Sequence, residues 1–599
     1  MAATAARTLR RKAIRNPLFG SGLALCLVPA AALAQTVEQH PAPVLFGAQT
    51  ATLSTTALAS HQNDSTPFGI NLGGIAVVDA HAHGSAVQPH AAAGIDTSLA
   101  GKTAQTAAFR AILARYVGQP LSYKLISAVE ADITQFYRDN GRSLVNVTVP
   151  PQEITSGVLQ VNINTFVLET TKVEGSTATG FLNSQIRLKP GQEVDTNRLL
   201  DDVNWLNLNP FRHVSVVFEP GATPDSTRLI LKVTNGRPWT AYLGASNAGT
   251  KDTGRARVFG GFNMSALPWQ DHQLSYQFTG SPESLAKFDL WRTGTDRGYL
   301  SHALTYFIPI TTAGGFRTKL TFGVSHISSY SATASVLSAG TETSVGNVEL
   351  SFPLPKTTGT FSLVPEIYLQ AEYDNYTHTQ FFAGTPLQPE KTRLTHGVLG
   401  FRTGMTGEIF GKKSRGNADL SLVFGRQATQ GDASFTYALT KFSISQEMFF
   451  DKDRSLKVRL NGQYSGANGQ NNAPLLHALE QMSLGGDGTV RGYPVNGVAS
   501  QTAVASSIQY NFAPLSFKAG TQDGTFRPHV FADLGAARGS ENAVGGHISG
   551  AHMAAIGIGG EFGMGEELVG TLDLANALTA AGATSSGDFS IAFQLTARF

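Results

Sequence analysis

From Trp239 to Phe599 the chain alternates apolar and polar residues in strand-length segments, and no apolar run there approaches the roughly 18 residues of a membrane-spanning helix. Period-two alternation gives each strand two chemically different faces. In a transmembrane barrel one face meets lipid and the other a polar lumen, so the hydropathy averages out along the chain. The last segment is the cleanest. Phe589, Ile591, Phe593, Leu595, Ala597 and Phe599 face one way; Ser590, Ala592, Gln594, Thr596 and Arg598 face the other. Sixteen strands are expected, beginning near residues 239, 254, 271, 299, 315, 342, 359, 392, 414, 433, 455, 497, 524, 547, 568 and 587. An even number suits a bacterial barrel with both ends in the periplasm. Pro353–Thr358 and Phe450–Arg454 are placed as periplasmic connections, and 374–391 and 467–496 as longer ones on the opposite side. The expected fold class is an all-β, sixteen-stranded antiparallel transmembrane barrel preceded by two α/β domains. A secreted soluble all-β protein is the plainer alternative.

The start of the chain agrees with export. Arg7, Arg10, Arg11, Lys12 and Arg15 precede an apolar stretch from Pro17 to Leu33 that ends in Ala32-Leu33-Ala34. This is the pattern of a secretory signal peptide spanning residues 1–34 and cut after Ala34. Cys26, the one cysteine, lies inside it, so disulfides and thiol chemistry are not expected in the mature chain. Losing five positive charges and no negative ones moves the formal charge from +2 to −3, which argues against nucleic acid as a partner. With 63 glycines and only 15% charged residues, the composition suits a membrane barrel better than a soluble enzyme.

Residues 35–68 are rich in Ala, Thr, Ser, Gln and His, lack useful periodicity, and read as a linker. Gly74–Asp79 reads as a strand and leads into Ala80-His81-Ala82-His83. An Asp-x-His-x-His after an apolar strand resembles the metal-binding opening of amidohydrolases, because two histidines so spaced can hold one metal. The remaining ligands would have to come from later strands of an α/β barrel. The chain turns instead to a low-complexity Ala/Gly/His insertion at 84–103. Two helices come next. Phe109, Ile112, Leu113 and Tyr116 share a face of the first, and Ile126, Val129, Ile133, Phe136 and Tyr137 a face of the second, with Ser122 as its N-cap and Gly141 beyond its end. Strands carrying Val145, Val147, Val149 and then Leu159, Val161, Ile163 complete the unit. The same order recurs from Thr171, through helices presenting Leu182, Ile186, Leu188 and Leu199, Leu200, Val203, Leu206, with Asp195 as a cap. Strands with Val214, Val216, Phe218 and Leu229, Leu231, Val233 close the second unit.

Two motifs stand out in the alternating half. One is the glycine-rich loop Leu484-Gly485-Gly486-Asp487-Gly488-Thr489-Val490-Arg491-Gly492-Tyr493. The other is Phe531-Ala532-Asp533-Leu534-Gly535. In a strand Phe531, Asp533 and Gly535 share a face, so a carboxylate lies beside a glycine that leaves room for close approach. An arginine carried inward on the loop would fit there, its planar fork on the carboxylate. Together with Pro150-Pro151-Gln152, Leu208-Asn209-Pro210, Glu219-Pro220-Gly221-Ala222, Arg237-Pro238-Trp239 and Ser246-Asn247-Ala248-Gly249-Thr250, these motifs resemble the POTRA-plus-barrel superfamily. Within it the chain is most similar to two-partner secretion transporters of the haemolysin secretion/activation (ShlB/FhaC/HecB) kind.

The resemblance implies a POTRA domain at 69–167, a second at 168–236 and a barrel at 237–599, with the loop 467–496 folded inward; many family members plug the barrel with an N-terminal helix, and 35–68 carries no convincing amphipathic pattern for one. It implies an outer-membrane pore, with POTRA domains in the periplasm. Such a pore recognises and exports, and in some cases activates, a large β-rich exoprotein such as a haemolysin or adhesin, using no nucleotide, cofactor or metal and catalysing no reaction. Its implied site residues are Gly485, Gly486, Val490, Arg491, Gly492 and Tyr493 on the loop and Phe531, Asp533 and Gly535 on the wall. Phe599 is implied as the barrel-insertion signal. The implied partners are the exoprotein on the POTRA domains, outer-membrane lipid, and the barrel-assembly machinery and periplasmic chaperones during biogenesis. Two alternatives stand beside it: a barrel-assembly insertase of the same superfamily, and a metal-dependent amidohydrolase using His81 and His83.

Overall fold

The computed structural model describes residues 63–83, 93–265, 268–286, 298–332, 337–357, 359–466, 476–520, 522–541, 547–548, 550–565 and 567–599. The expected signal peptide, most of the expected linker and residues 467–475 of the long loop lie outside them. Along the described chain, the boundary between two compact units falls between Gly236 and Arg237.

The first unit holds two sheets, each with its own core. The strands β1 (Gly74–Asp79), β2 (Gly94–Leu99), β3 (Val145–Thr148) and β4 (Val158–Thr165) form a sheet in the order β2-β1-β4-β3, with β1 parallel to both neighbours. Ile75, Val77, Leu159 and Val161 pack with Phe109 and Leu113 of helix Ala107–Ala114 and with Val129 and Ile133 of helix Tyr123–Asp139. The Ser122 side chain accepts from Leu125 N at 3.3 Å, and Gly141 follows the helix with φ +77°. Gln152 acts as a side-chain bridge. Its Oε1 accepts from Gln160 N at 2.7 Å, and its Nε2 donates to Gln160 O at 2.8 Å.

One part of this unit differs from the sequence reading. Residues 94–99, expected within a low-complexity insertion, are strand β2. Gly-Ile-Asp-Thr-Ser-Leu offers too few apolar residues for alternation to show, and main-chain pairing to β1 supplies the order instead.

The second sheet, in the order β5-β7-β6, consists of β5 (Val167–Glu174), β6 (Arg212–Pro220) and β7 (Ser226–Asn235). Helices Thr179–Ser184 and Thr196–Leu206 cover it, burying Leu182, Leu199, Val203 and Leu206. Asp195 caps the longer helix by accepting from Arg198 N at 3.0 Å. Ile186 and Leu188, expected on the shorter helix, are in the core but lie beyond its end.

The second unit is the closed sixteen-stranded antiparallel barrel that the alternation predicts. Its strands are Trp239–Ser246, Arg257–Ser265, Gln273–Gly280, Gly298–Thr311, Arg317–Ala332, Leu337–Pro353, Phe361–Phe382, Glu390–Ile409, Lys412–Thr429, Phe435–Phe449, Ser455–Ser465, Ala503–Asn511, Gln522–Ala537, Ala551–Met564, Leu568–Ala577 and Phe589–Arg598. Short pieces at Thr385–Pro386 and Leu515–Ala519 extend the eighth and twelfth. The sixteenth strand pairs with the first, from Gln594 with Ser246 to Arg598 with Tyr242, which abolishes any free sheet edge. Leu399, Leu420, Leu422, Phe424, Ile508, Leu534 and Ile558 are exposed, while Glu366, Glu372, Asp374, His396, Lys441 and Asp533 are buried. A soluble protein has the reverse arrangement; only a lipid environment makes this one stable.

Several strand boundaries differ from expectation by a few residues, and two of the differences have a clear cause. The twelfth strand, expected near residue 497, begins at Ala503, because Val498–Ser500 instead pairs with Met482–Leu484 inside the long loop. The expected connection 374–391 is largely strand, since the seventh and eighth strands run to Phe382 and from Glu390. They have 22 and 20 residues, about twice the 9–11 that cross a membrane. Past the bilayer the outer face no longer needs apolar side chains, so Asn375-Tyr376-Thr377-His378-Thr379 loses the pattern while keeping the ladder. Among the described residues no helix is long and apolar enough to cross a membrane.

Candidate functional site

The long loop between the eleventh and twelfth strands folds inward on its own backbone. Met482–Leu484 and Val498–Ser500 form a two-stranded stem. At its tip Gly486 N donates to Tyr493 O at 3.0 Å, and Gly485 N donates to the Thr489 hydroxyl at 2.8 Å. Gly485, Gly486 and Gly492 have φ of +112°, +83° and +95°, a region that side-chain-bearing residues rarely occupy. Gly488 has no such angle, and nothing lies within 4 Å of where a Cβ on it would stand. Leu484, Val490 and Tyr493 are buried against Ala503, Ala505, Ala537, Met553, Ala555 and Ala577 of the wall. These wall residues alternate with outward-facing Val504, Leu534 and Ile556, so the loop occupies the lumen side.

Arg491 is 4% exposed and Asp533 1%. Asp533 Oδ2 accepts from Arg491 N at 3.0 Å and from Nε at 2.8 Å, and Oδ1 accepts from Nη2 at 2.9 Å. Nη2 also donates to Ser507 Oγ at 3.1 Å, and Nη1 to Gln509 Oε1 at 2.9 Å, with Asp573 Oδ2 at 3.5 Å. The guanidinium carbon lies 3.4 Å from the centroid of the Phe531 ring, a stacked cation–π contact. A fork with two carboxylate bonds and an aromatic floor is a task for arginine rather than lysine. A Cβ at Gly535 would lie 2.7 Å from Val490 Cγ2, so the space left by that glycine is filled by the loop itself. The Tyr493 hydroxyl accepts from Ala554 N at 3.2 Å and donates toward Thr579 O at 2.7 Å, fixing the far side of the tip.

The structure thus brings together the loop residues Val490 to Tyr493 and the wall residues Phe531, Asp533 and Gly535. Phe599 is elsewhere, at the seam, where its N and O both pair with Ala241. Sequence reasoning missed Ser507, Gln509, Asp573 and His529, whose Nε2 is 2.6 Å from Asp573 Oδ1. All four are polar positions within alternating strands, and which of them share a height in the barrel depends on strand register. A second buried network was also missed: Arg402 on Glu349 at 2.7 Å and Glu366 at 3.0 Å, with Lys319 on Glu366 at 2.9 Å. Among the described residues the Asp79-x-His81-x-His83 stretch is not set in an amidohydrolase-like site. Residues 80–83 form one helical turn, Asp79 Oδ1 accepts from Ala82 N, His83 is exposed, and β1 belongs to a four-stranded sheet rather than an α/β barrel.

Residues 225–560 match the haemolysin secretion/activation protein family ShlB/FhaC/HecB, more than half of the chain. The chain belongs to the ShlB/FhaC/HecB family. Residues 97–165 match the ShlB-type POTRA domain. The heme/hemopexin transporter protein HuxB of Haemophilus influenzae is 21% identical over 444 residues, 67% of this chain and 71% of its own length. The outer membrane transporter CdiB-2 of Burkholderia pseudomallei is 23% identical over 143 residues, 24% of each chain. Among solved structures, CdiB from Escherichia coli shares the fold at a TM-score of 0.66 and 17% identity, covering 92% of this chain and 94% of that one. CdiB from Acinetobacter baumannii does so at 0.60 and 14%, covering 92% and 95%. As a ShlB/FhaC/HecB member the chain is an outer-membrane transporter of the two-partner secretion kind, with its POTRA region in the periplasm. The family is one of transporters, not enzymes.

Proposed function

We propose that this transporter exports a large, unfolded, β-rich exoprotein of the haemolysin or adhesin class, that residues 69–236 receive it, and that the Arg491–Asp533 latch governs its passage. The observation that carries this is Arg491, buried at the tip of an inward-folded loop and held by three wall strands. A loop so placed narrows the lumen, and a polymer crossing the barrel must pass it. The α/β unit offers the sheet edges β2, β3, β5 and β6, where an extended segment can add a strand through main-chain hydrogen bonds. No nucleotide is needed if folding of the exoprotein outside makes its passage one-way. The relatives support the reading at the level of kind: HuxB is named as a heme/hemopexin transporter protein and CdiB-2 as an outer membrane transporter. Photo-crosslinkers placed along β2 and β5 in living cells, with mass spectrometry of the captured proteins, test it. Capture of one large secreted protein supports the reading; capture of many unrelated outer-membrane barrels indicates an assembly insertase instead.

A further inference from the structure

The seventh and eighth barrel strands carry a second cluster that the latch does not use. Ligand atoms of Glu372, Asp374 and His396 all lie within 4.8 Å of one another. Glu480, from the short helical turn Ala478–Glu480 of the inward loop, joins them, its Oε1 3.3 Å from His396 Nδ1. His396 Nε2 is 3.4 Å from Glu372 Oε1. All four side chains are more than nine-tenths buried.

Their hydrogen bonding is incomplete in a way that points to a ligand. Among the described residues, both carboxylate oxygens of Asp374 and Nδ1 of His396 have no hydrogen-bond partner. Glu372 Oε2 accepts from Gln370 Nε2 at 2.7 Å, which leaves Oε1 to face the cluster. Three carboxylates converge here, and among the described residues one cation, Lys441, stands at the edge with Nζ 3.7 Å from Glu480 Oε2. Buried carboxylates with free lone pairs and like-charged neighbours are costly unless a proton or a cation joins them.

We propose that a divalent cation of the zinc–manganese class binds at Glu372, Asp374, His396 and Glu480, and fastens the incoming limb of the inward loop to the barrel wall. One imidazole nitrogen with carboxylate oxygens is the donor set of such ions, whereas calcium takes six to eight oxygens and magnesium keeps most of its waters. Donor atoms of Glu372, Asp374 and His396 lie within 4.8 Å of one another, and a modest inward turn of these side chains would bring them to the roughly 2.0–2.2 Å at which such an ion is held. The loop would then have two fastenings, Glu480 on its incoming limb and Arg491 at its tip. The cation site stands on its own geometry, whatever exoprotein the pore carries.

The full-length transporter, purified in detergent without a polyhistidine tag and stripped with EDTA, is titrated calorimetrically with Zn²⁺, Mn²⁺ and Ca²⁺. One Zn²⁺ or Mn²⁺ per chain is expected, with Asp374→Asn and His396→Ala each weakening binding by roughly tenfold or more. The ion should raise the unfolding temperature of the wild type and leave that of Asp374→Asn unchanged. His83→Ala controls for capture by the histidines near the start of the chain and should bind as the wild type does. Should the wall variants fail to insert, Glu480→Gln carries the test, since it alters the loop and not a strand. Absence of binding, preference for Ca²⁺, or undiminished binding by Asp374→Asn and Glu480→Gln would overturn the proposal and leave a cluster held by protons and water.

Discussion

Arg491 bonds side chains from three wall strands at once, through Asp533, through Ser507 and Gln509, and through Asp573. Removing it leaves Asp533 buried without its counter-charge, a loss on the order of 3–5 kcal/mol when one member of a buried pair is deleted. The proposed latch predicts that Arg491→Ala inserts normally but sharply reduces secreted partner per inserted transporter, as does Asp533→Ala. Arg491→Lys should rescue poorly, since an ammonium can neither bridge both oxygens of Asp533 nor stack on Phe531 as a plane. The double variant should be little worse than either single one; additive losses would show that the residues do not act as a pair. The pairing was legible because each half is a compact local motif, with glycines marking the loop and alternation placing Asp533 on the polar face. Ser507, Gln509 and Asp573 were not. They meet Arg491 only through the register Ser507–Asp533 and the closure of four strands, which hydrogen bonding sets and no local pattern records.

Elements were most legible where side-chain chemistry marks them. Ser122 and Asp195 announce two helices and cap them. β2 was lost because its pairing is main-chain, and residues 374–391 were misread because alternation fades once a strand leaves lipid. The two cores of the first unit close upon themselves, so the fragment 69–236 should be soluble without detergent and bind the amino-terminal portion of the exported protein. A folded fragment that ignores the partner, while the barrel alone binds it, would remove the receiving role. The seam between the sixteenth and first strands predicts a second effect. It has five paired positions, reinforced by Asn247, whose amide bonds Ile591 O and Phe593 N, and by Phe599 on Ala241. Deleting Phe599 removes two of these main-chain bonds at the point of closure. The amount of folded barrel in the outer membrane should fall, and unchanged amounts would place the insertion signal elsewhere.

At the scale of the molecule, an inside-out barrel joined to α/β domains is expected to fractionate with outer membranes and to migrate faster on gels before boiling than after. Recovery as a soluble periplasmic protein would contradict the barrel. Export and barrel assembly make opposite demands on the rest of the cell, and that contrast gives the most direct test. The proteins on the surface and in the medium are compared between a strain lacking this chain and the same strain supplied with the wild type or with Arg491→Ala. An export role predicts that one large β-rich exoprotein disappears from outside, is restored by the wild type and not by Arg491→Ala, and that other outer-membrane barrels stay at normal levels. An unchanged set of external proteins, or a general loss of outer-membrane barrels, would contradict it.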